Sequence, residues 1–169
     1  MELMEAILTR RSIRKFKKES ISKELIEKLL RAAMAAPSAG NRQPWHFIVL
    51  TEHVIMDKIP EFHPHSKMLT QAAAAIVVCW DKNSELAEGY GIQDASAATE
   101  NILLVAHASG LGAVWLGIFP REHRVESLKK LLGLPDHIMP LGVVALGYPA
   151  EEKLPEDRFD PAKIHFEKW

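Results

Sequence analysis

Two short segments hold the side chains with most chemistry to offer. Arg10-Arg11-Ser12-Ile13-Arg14 sets three guanidinium forks and a hydroxyl in one stretch. Pro37-Ser38-Ala39-Gly40-Asn41-Arg42-Gln43-Pro44-Trp45 is a stiff, polar loop that leads into an apolar run. A guanidinium donates two parallel hydrogen bonds to an oxyanion and keeps its charge at any working pH, which suits a phosphate. A loop with proline at both ends has few backbone states, and Ser38, Asn41 and Gln43 add donors and acceptors without net charge. Such groups suit a heterocycle edge or sugar hydroxyls, so the pair fits a planar cofactor that carries a phosphate. Each segment alone also has a plainer reading. Residues 10 to 18 hold six basic side chains, and charge runs are usually solvated faces. Ser38 and Asn41 in a helix-to-strand connection can simply satisfy their own backbone.

The elements that position these residues follow from periodicity and capping. Met1 to Leu8 predicts a short amphipathic helix with Leu3, Met4, Ile7 and Leu8 on one side, ending at the arginines. Ser22 caps a helix from about Lys23 to Ala35, with Ile21 and Ile26 in the staple positions and Leu25, Leu29 and Ala33 on its apolar face. Strands are expected at Trp45 to Leu50, Ala75 to Trp80, Ala113 to Ile118 and Leu141 to Leu146. A long helix is expected from Tyr90 to Ser109, and another from Arg121 to Leu132, opened by Pro120 and ended by Gly133. The long helix is small and apolar on more than one face through Ala95, Ala97, Ala98, Ala106 and Ala108, as in a helix packed closely on several sides or at a subunit interface. Alternation of helix and strand indicates an α/β or α+β domain with one central sheet covered by helices. Beyond Tyr148 the regular periods stop, yet Phe159, Ile164, Phe166 and Trp169 need a surface to cover them. An extended arm with apolar anchors would supply that, on its own subunit or on another.

The two segments at this spacing resemble the FMN-dependent nitroreductase family. Arg10, Arg11, Ser12 and Arg14 match its opening element; Pro37, Ser38, Asn41, Gln43, Pro44 and Trp45 match its second motif. The resemblance extends through Lys67-Met68-Leu69, Trp115-Leu116-Gly117 and Gly147-Tyr148-Pro149 to Arg158, which is nearly the whole chain. It implies an α+β fold, layered in the α/β manner, with a central mixed, mostly antiparallel sheet flanked by helices. Residues 1–149 would form one flavin-binding domain, and residues 150–169 an extended C-terminal arm packing on the partner subunit of a homodimer.

The resemblance also implies roles. Arg10 and Arg158 would hold the FMN phosphate, with Arg11 and Ser12 assisting at phosphate and ribityl oxygens. Arg14 and Lys67 would approach the pyrimidine edge of the flavin, where positive charge stabilises the anionic reduced form. Pro37, Ser38, Ala39 and Asn41 would reach the cofactor from the other chain. Trp115, Leu116 and Gly117 would lie near flavin N5, the last two through a backbone N–H. Leu116 stands where many members have an acidic residue, and Ala39 where they have a second serine. NADH or NADPH would be the electron donor, and a nitroaromatic, quinone or similar small molecule the acceptor. No side chain is required as an acid–base catalyst, because the cofactor carries the chemistry. Related flavin chemistry (reductive dehalogenation, azoline oxidation, flavin fragmentation) and a non-redox protein using residues 10 to 18 to bind an anionic partner are the alternatives.

Composition narrows the field. A chain of 169 residues suits one domain burying roughly 70% of its unfolded surface. Hydrophobic residues at 47% and charged residues at 25% argue against disorder, and a net charge of -1 argues against general nucleic-acid binding. The single cysteine, Cys79, lies in an apolar run and reads as an inert core thiol. No apolar run reaches the roughly 20 residues that span a bilayer, and no signal core opens the chain, so a cytoplasmic protein without a membrane partner is expected. His63-Pro64-His65 offers two imidazoles, but a zinc site needs a third and usually a fourth ligand. Gly110-Leu111-Gly112 follows a helix and precedes a strand, the reverse of a dinucleotide fingerprint, and reads as a helix C-cap.

Overall fold

The computed structural model describes all 169 residues. Its regular elements are α1 (Leu3–Thr9), α2 (Lys23–Met34), β1 (Trp45–Leu50), α3 (His53–Met56), β2 (Ala74–Asp81), α4 (Tyr90–Ala108), β3 (Gly112–Gly117), α5 (Glu122–Leu132) and β4 (Ile138–Gly147). Single 3-10 turns occupy Ala39–Asn41, Ile59–Glu61, Lys67–Thr70 and Pro161–Lys163. The strands form one sheet in the order β1-β2-β4-β3, with every neighbouring pair antiparallel. The parallel component is a single bridge, Ser12 to Ala113, where Ile13 N–H donates to Ala113 O at 3.0 Å.

Strand alternation divides the core into two layers. Ile76, Val78 and Trp80 of β2 pack toward α2 and α4 with Leu29, Ala33, Ala95, Ala98 and Ile102. Ala75, Val77 and Cys79 face the other way, into a cluster with Met56, Leu69, Val125 and Leu128. Both faces of β2 are covered, which is why its sequence reads as an unbroken apolar run and not as an alternating one. Cys79 is fully buried, and burial pushes its thiol up to about 12. No helix is long and apolar enough to cross a membrane.

Local signals set most boundaries. Ser22 Oγ accepts Leu25 N–H at 3.2 Å and starts α2. Gly110, at φ +78, closes α4 as Leu111 N–H donates to Ala106 O and Gly110 N–H to His107 O, the paired bonds of a Schellman cap. Two expectations needed revision. Strand β4 begins at Ile138, three residues before the predicted start, because a bulge accommodates Pro140: the register slips between Val78 opposite Gly142 and Cys79 opposite Pro140. The slip leaves Leu141 O free to accept both Ile118 N–H and Phe119 N–H at 3.1 Å. Helix α1 forms as expected, but it buries Ala6, while Leu3, Met4, Ile7 and Leu8 are 45 to 68% exposed. Its apolar side faces away from the domain.

Candidate functional site

The arginines converge where α1 ends. Arg10, Arg11 and Arg158 line one cavity of about 620 Å³ together with Ile7, Leu8 and residues 155–157 and Phe159. Within it the Glu156 carboxylate takes Arg11 Nη2 at 2.7 Å and Arg158 Nη2 at 3.0 Å, and Leu154 O is a further acceptor for Arg11. Both guanidiniums hold Glu156 below the usual carboxylate range, the Arg158 hydrogen bonds contributing most. Two forks closing on one carboxylate show that this cluster can grip an oxyanion. Arg10 lies further back, with Nε 3.6 Å from the Glu100 carboxylate on α4.

The tail shapes this site from the chain's own side. Ala150 N–H donates to Lys15 O at 2.8 Å, Lys153 Nζ to Ser12 O at 2.7 Å, and Arg14 N–H to the Glu151 carboxylate at 2.6 Å. The Arg14 bond, reinforced by Lys153, lowers the affinity of Glu151 for a proton. Ser12 and Arg14 are therefore tied through their backbones to the tail segment that leads into the cavity, and the Arg14 side chain is exposed. Phe159, Ile164, Phe166 and Trp169 are 46 to 100% exposed.

The second motif stands apart from the arginines, on the turn between α2 and β1. Gly40, Asn41 and Gln43 adopt φ of +56, +53 and +50, a left-handed path that a glycine and amide residues tolerate. Ser38 Oγ accepts Gln43 N–H at 3.0 Å, and Asn41 Oδ1 accepts Gln43 Nε2 at 2.8 Å. Asp94, 5% exposed on α4, accepts Ala39 N–H at 2.9 Å and ties the turn to the core. Pro37 and Asn41 are exposed. Trp45 is in the core beneath.

A third group gathers at the C-terminal end of β3. Trp115 is half-buried, Leu116 is buried and Gly117 is exposed. Gly117 O accepts from Arg124 Nη1 at 2.9 Å and from the imidazole of His63, Nε2, at 3.0 Å. Burial, aided by the Arg124 cation, holds His63 below the ordinary histidine range, against the pull of the Gly117 bond. Both ring nitrogens of His63 are engaged, since Nδ1 accepts His65 N–H at 3.2 Å, so the His63-Pro64-His65 pair is a structural turn. Lys67 follows on the next 3-10 turn and is exposed.

Of the residues singled out from sequence, the structure thus unites Arg10, Arg11 and Arg158, seats Ser12 and Arg14 beside them, and leaves Pro37, Ser38, Ala39 and Asn41 on a separate turn. Lys67 and Trp115, Leu116 and Gly117 form a further place, joined through His63. Glu151, Lys153, Glu156, Asp94, His63 and Arg124 went unnoticed as site neighbours. Their partners lie 7 to 145 residues away along the chain, and no local pattern marks them.

A four-stranded antiparallel sheet sandwiched by helices, with basic groups clustered at the end of α1, defines an α+β domain. The fold is shared with solved structures. A crystal structure from Parabacteroides distasonis, provisionally named NADH dehydrogenase/NAD(P)H nitroreductase, matches at 43% identity and a TM-score of 0.95, covering 99% of this chain and 98% of that one. An FMN-dependent nitroreductase from Clostridium difficile matches at 30% identity and a TM-score of 0.91, covering 98% and 99%. A protein from Archaeoglobus fulgidus with the same provisional name as the first is 52% identical over 172 residues, which span 99% of each chain. The model of the nitroreductase family matches residues 7–148. The chain belongs to the nitroreductase family.

Proposed function

We propose that this chain is an FMN-dependent oxidoreductase that takes electrons from NADH or NADPH and passes them in pairs to a nitroaromatic, quinone or similar acceptor. The observation that carries the reading is the Arg11–Glu156–Arg158 cluster: two guanidiniums already arranged around an oxyanion, in a cavity within the 300–1,000 Å³ range of cofactor pockets. It is supported by family membership and by the relatives' names, one an FMN-dependent nitroreductase and others NAD(P)H nitroreductases.

In this reading Arg10, Arg11 and Arg158 bind the FMN phosphate, with the Ser12 hydroxyl beside them. Arg14 and Lys67 present positive charge to the pyrimidine edge, and a backbone N–H at Leu116 or Gly117 meets N5, with Trp115 behind. FMN, when bound, would supply the two-electron redox chemistry. The protein orients and charges the site, and no side chain needs to act as nucleophile or general acid.

The turn carrying Pro37, Ser38, Ala39 and Asn41 lies apart from the arginine cavity within one chain, so we assign it to the cofactor of a second copy. The exposed apolar side of α1 (Leu3, Met4, Ile7, Leu8) and the tail anchors Phe159, Ile164, Phe166 and Trp169 supply the surface for such a homodimer, with the arm of residues 150–169 running along its own subunit as far as Glu156 and reaching the partner beyond it. A cytoplasmic location, where reduced nicotinamide nucleotides are available, goes with this reading.

The test is the visible spectrum of the purified chain after FMN addition and gel filtration, repeated anaerobically with NADH or NADPH. Co-eluting flavin bands that bleach with a nicotinamide nucleotide and recover with a nitroaromatic or quinone are expected. A chain that retains no flavin would refute the assignment.

A further inference from the structure

Gly117 closes β3 with open space where a Cβ would stand, so hydrogen bonds alone orient the peptide that follows it, and on the sheet side Ile118 N–H donates to Leu141 O at 3.1 Å. Glycine also has the widest backbone freedom of any residue. Two side chains hold the carbonyl end of the same peptide. His63 and Arg124 both aim donors at Gly117 O, at 3.0 and 2.9 Å.

The hydrogen-bond network fixes the roles. His63 Nδ1 accepts the N–H of His65, so the ring proton sits on Nε2 and is donated to Gly117 O. The 3.2 Å approach of Arg124 Nη1 to Nε2 is then two donors converging on one acceptor, whose two lone pairs accommodate both. His63 is 2% exposed. Its own carbonyl accepts Ser66 N–H at 3.1 Å and the Ser66 hydroxyl at 2.8 Å, and Ser66, fully buried, precedes the turn that begins at Lys67. His63 therefore links the end of β3, through its ring, to the Lys67 turn, through its backbone carbonyl. Arg124, in the first turn of α5, brings the second donor to the same carbonyl oxygen.

We propose that His63 and Arg124 are positioning residues for the redox reaction, clamping the Gly117 carbonyl, and through it the backbone that carries the Gly117 N–H, in one fixed relation to the Lys67 turn. The proposal rests on the reading that Leu116–Gly117 meets flavin N5 and Lys67 the pyrimidine edge. Neither His63 nor Arg124 is assigned a contact with the cofactor. Their effect is preorganisation: a hydrogen bond weakens steeply with misalignment, and a donor already aimed needs no reorganisation as charge develops. The two edges of the ring system on which reduction places electron density would thus be served by one rigid unit.

The experiment uses the full chain loaded with FMN labelled with 15N at N5, as wild type, His63→Ala, His63→Gln and Arg124→Met. Affinity for FMN is read by fluorescence titration, the N5 environment by its 15N resonance, and flavin reduction by anaerobic stopped flow at saturating NAD(P)H. His63→Ala and Arg124→Met are expected to bind FMN within about threefold of wild type, because the phosphate contacts are intact, yet to shift the N5 resonance. Each should slow reduction about tenfold, the rate equivalent of one aligned hydrogen bond, and His63→Gln should recover most of the rate because its amide offers a donor to the same carbonyl. Unchanged N5 resonance and reduction rate in folded His63→Ala and Arg124→Met protein would overturn the positioning role, as would a loss of thermal stability without any N5 shift. Should His63→Ala fail to fold, the half-exposed Arg124 carries the test alone. A wild-type chain that takes up no FMN would overturn the functional reading itself, an outcome separable from a bound flavin with an indifferent N5.

Discussion

Gly117 and Gly142 face each other across the same rung of β3 and β4, yet alanine should destabilise only at position 142. A Cβ on Gly142 would fall 2.8 Å from Trp115 Cδ1 and 2.9 Å from Leu116 O, and nearer still to Trp115 Nε1. The half-buried indole has some room to swing, but the Leu116 carbonyl belongs to the sheet and does not. Overpacking of this type costs about 1–3 kcal/mol, and relief of glycine's backbone entropy returns about 0.5–1 kcal/mol. A net loss of about 1–2 kcal/mol remains. In a domain of this length that lowers Tm by about 2–8 °C, at about 2–4 °C per kcal/mol. A Cβ on Gly117 meets nothing within 4 Å, and Gly117 has no positive φ, so Gly117→Ala should leave Tm within about 2 °C of wild type. Calorimetry on both variants decides the matter. A Gly142→Ala protein as stable as wild type, or a Gly117→Ala protein equally destabilised, would show that strand contact does not explain the glycine at 142.

Stability should decline as pH falls below about 6.5, since His63 and His107 are both held below their ordinary values, chiefly by burial, and the unfolded chain takes up their protons first. Each contribution is complete above the unfolded value and is lost down to the folded one; a Tm that stays flat from pH 7.5 to 5 would contradict this. Glu151 shifts downward, mainly through the Arg14 N–H, so its contribution persists above its unfolded value and fades only in stronger acid, a second slope that Glu151→Gln should reduce. Arg11→Met removes a charge-assisted donor worth about 1.5–3 kcal/mol and should weaken FMN binding by about 10- to 150-fold at low salt, measured by fluorescence titration. Cys79, fully buried with its thiol pushed up to about 12, should resist a disulfide reagent at pH 8 in the native protein and react at once in guanidinium.

The sheet and its helices were legible because their signals are local. Ser22, Gly110 and Gly133 end or begin helices by their own chemistry, and the doubly covered β2 declares itself as an unbroken apolar run. The start of β4 at Ile138, ahead of Pro140, was not legible, because whether a strand can run through a proline depends on a bulge opposite Cys79 that only pairing reveals. The apolar side of α1 was visible, but not that it faces outward, since a pattern records which side is greasy and not what covers it. In the candidate site the arginines announced themselves by type and proximity. The anchoring carboxylates Asp94, Glu151 and Glu156, and the His63–Arg124 pair, did not, because each is ordinary in sequence and acquires its role from a partner brought near by folding.

The bridge from Ser12 to Ala113 has a further consequence for solubility. Strand β3 is terminal in the sheet, and an open terminal strand is a template for unwanted pairing between molecules. Here the residue after Ser12 occupies that flank, as Ile13 N–H takes Ala113 O, and Ile13 seals it against Gly112, where a Cβ would lie 2.9 Å from the isoleucine Cβ. The basic segment is therefore also a guard rail along the sheet. Damage that unseats it would displace the arginines of the candidate site and bare a strand to its neighbours in the same event, so loss of the proposed activity and aggregation should arrive together.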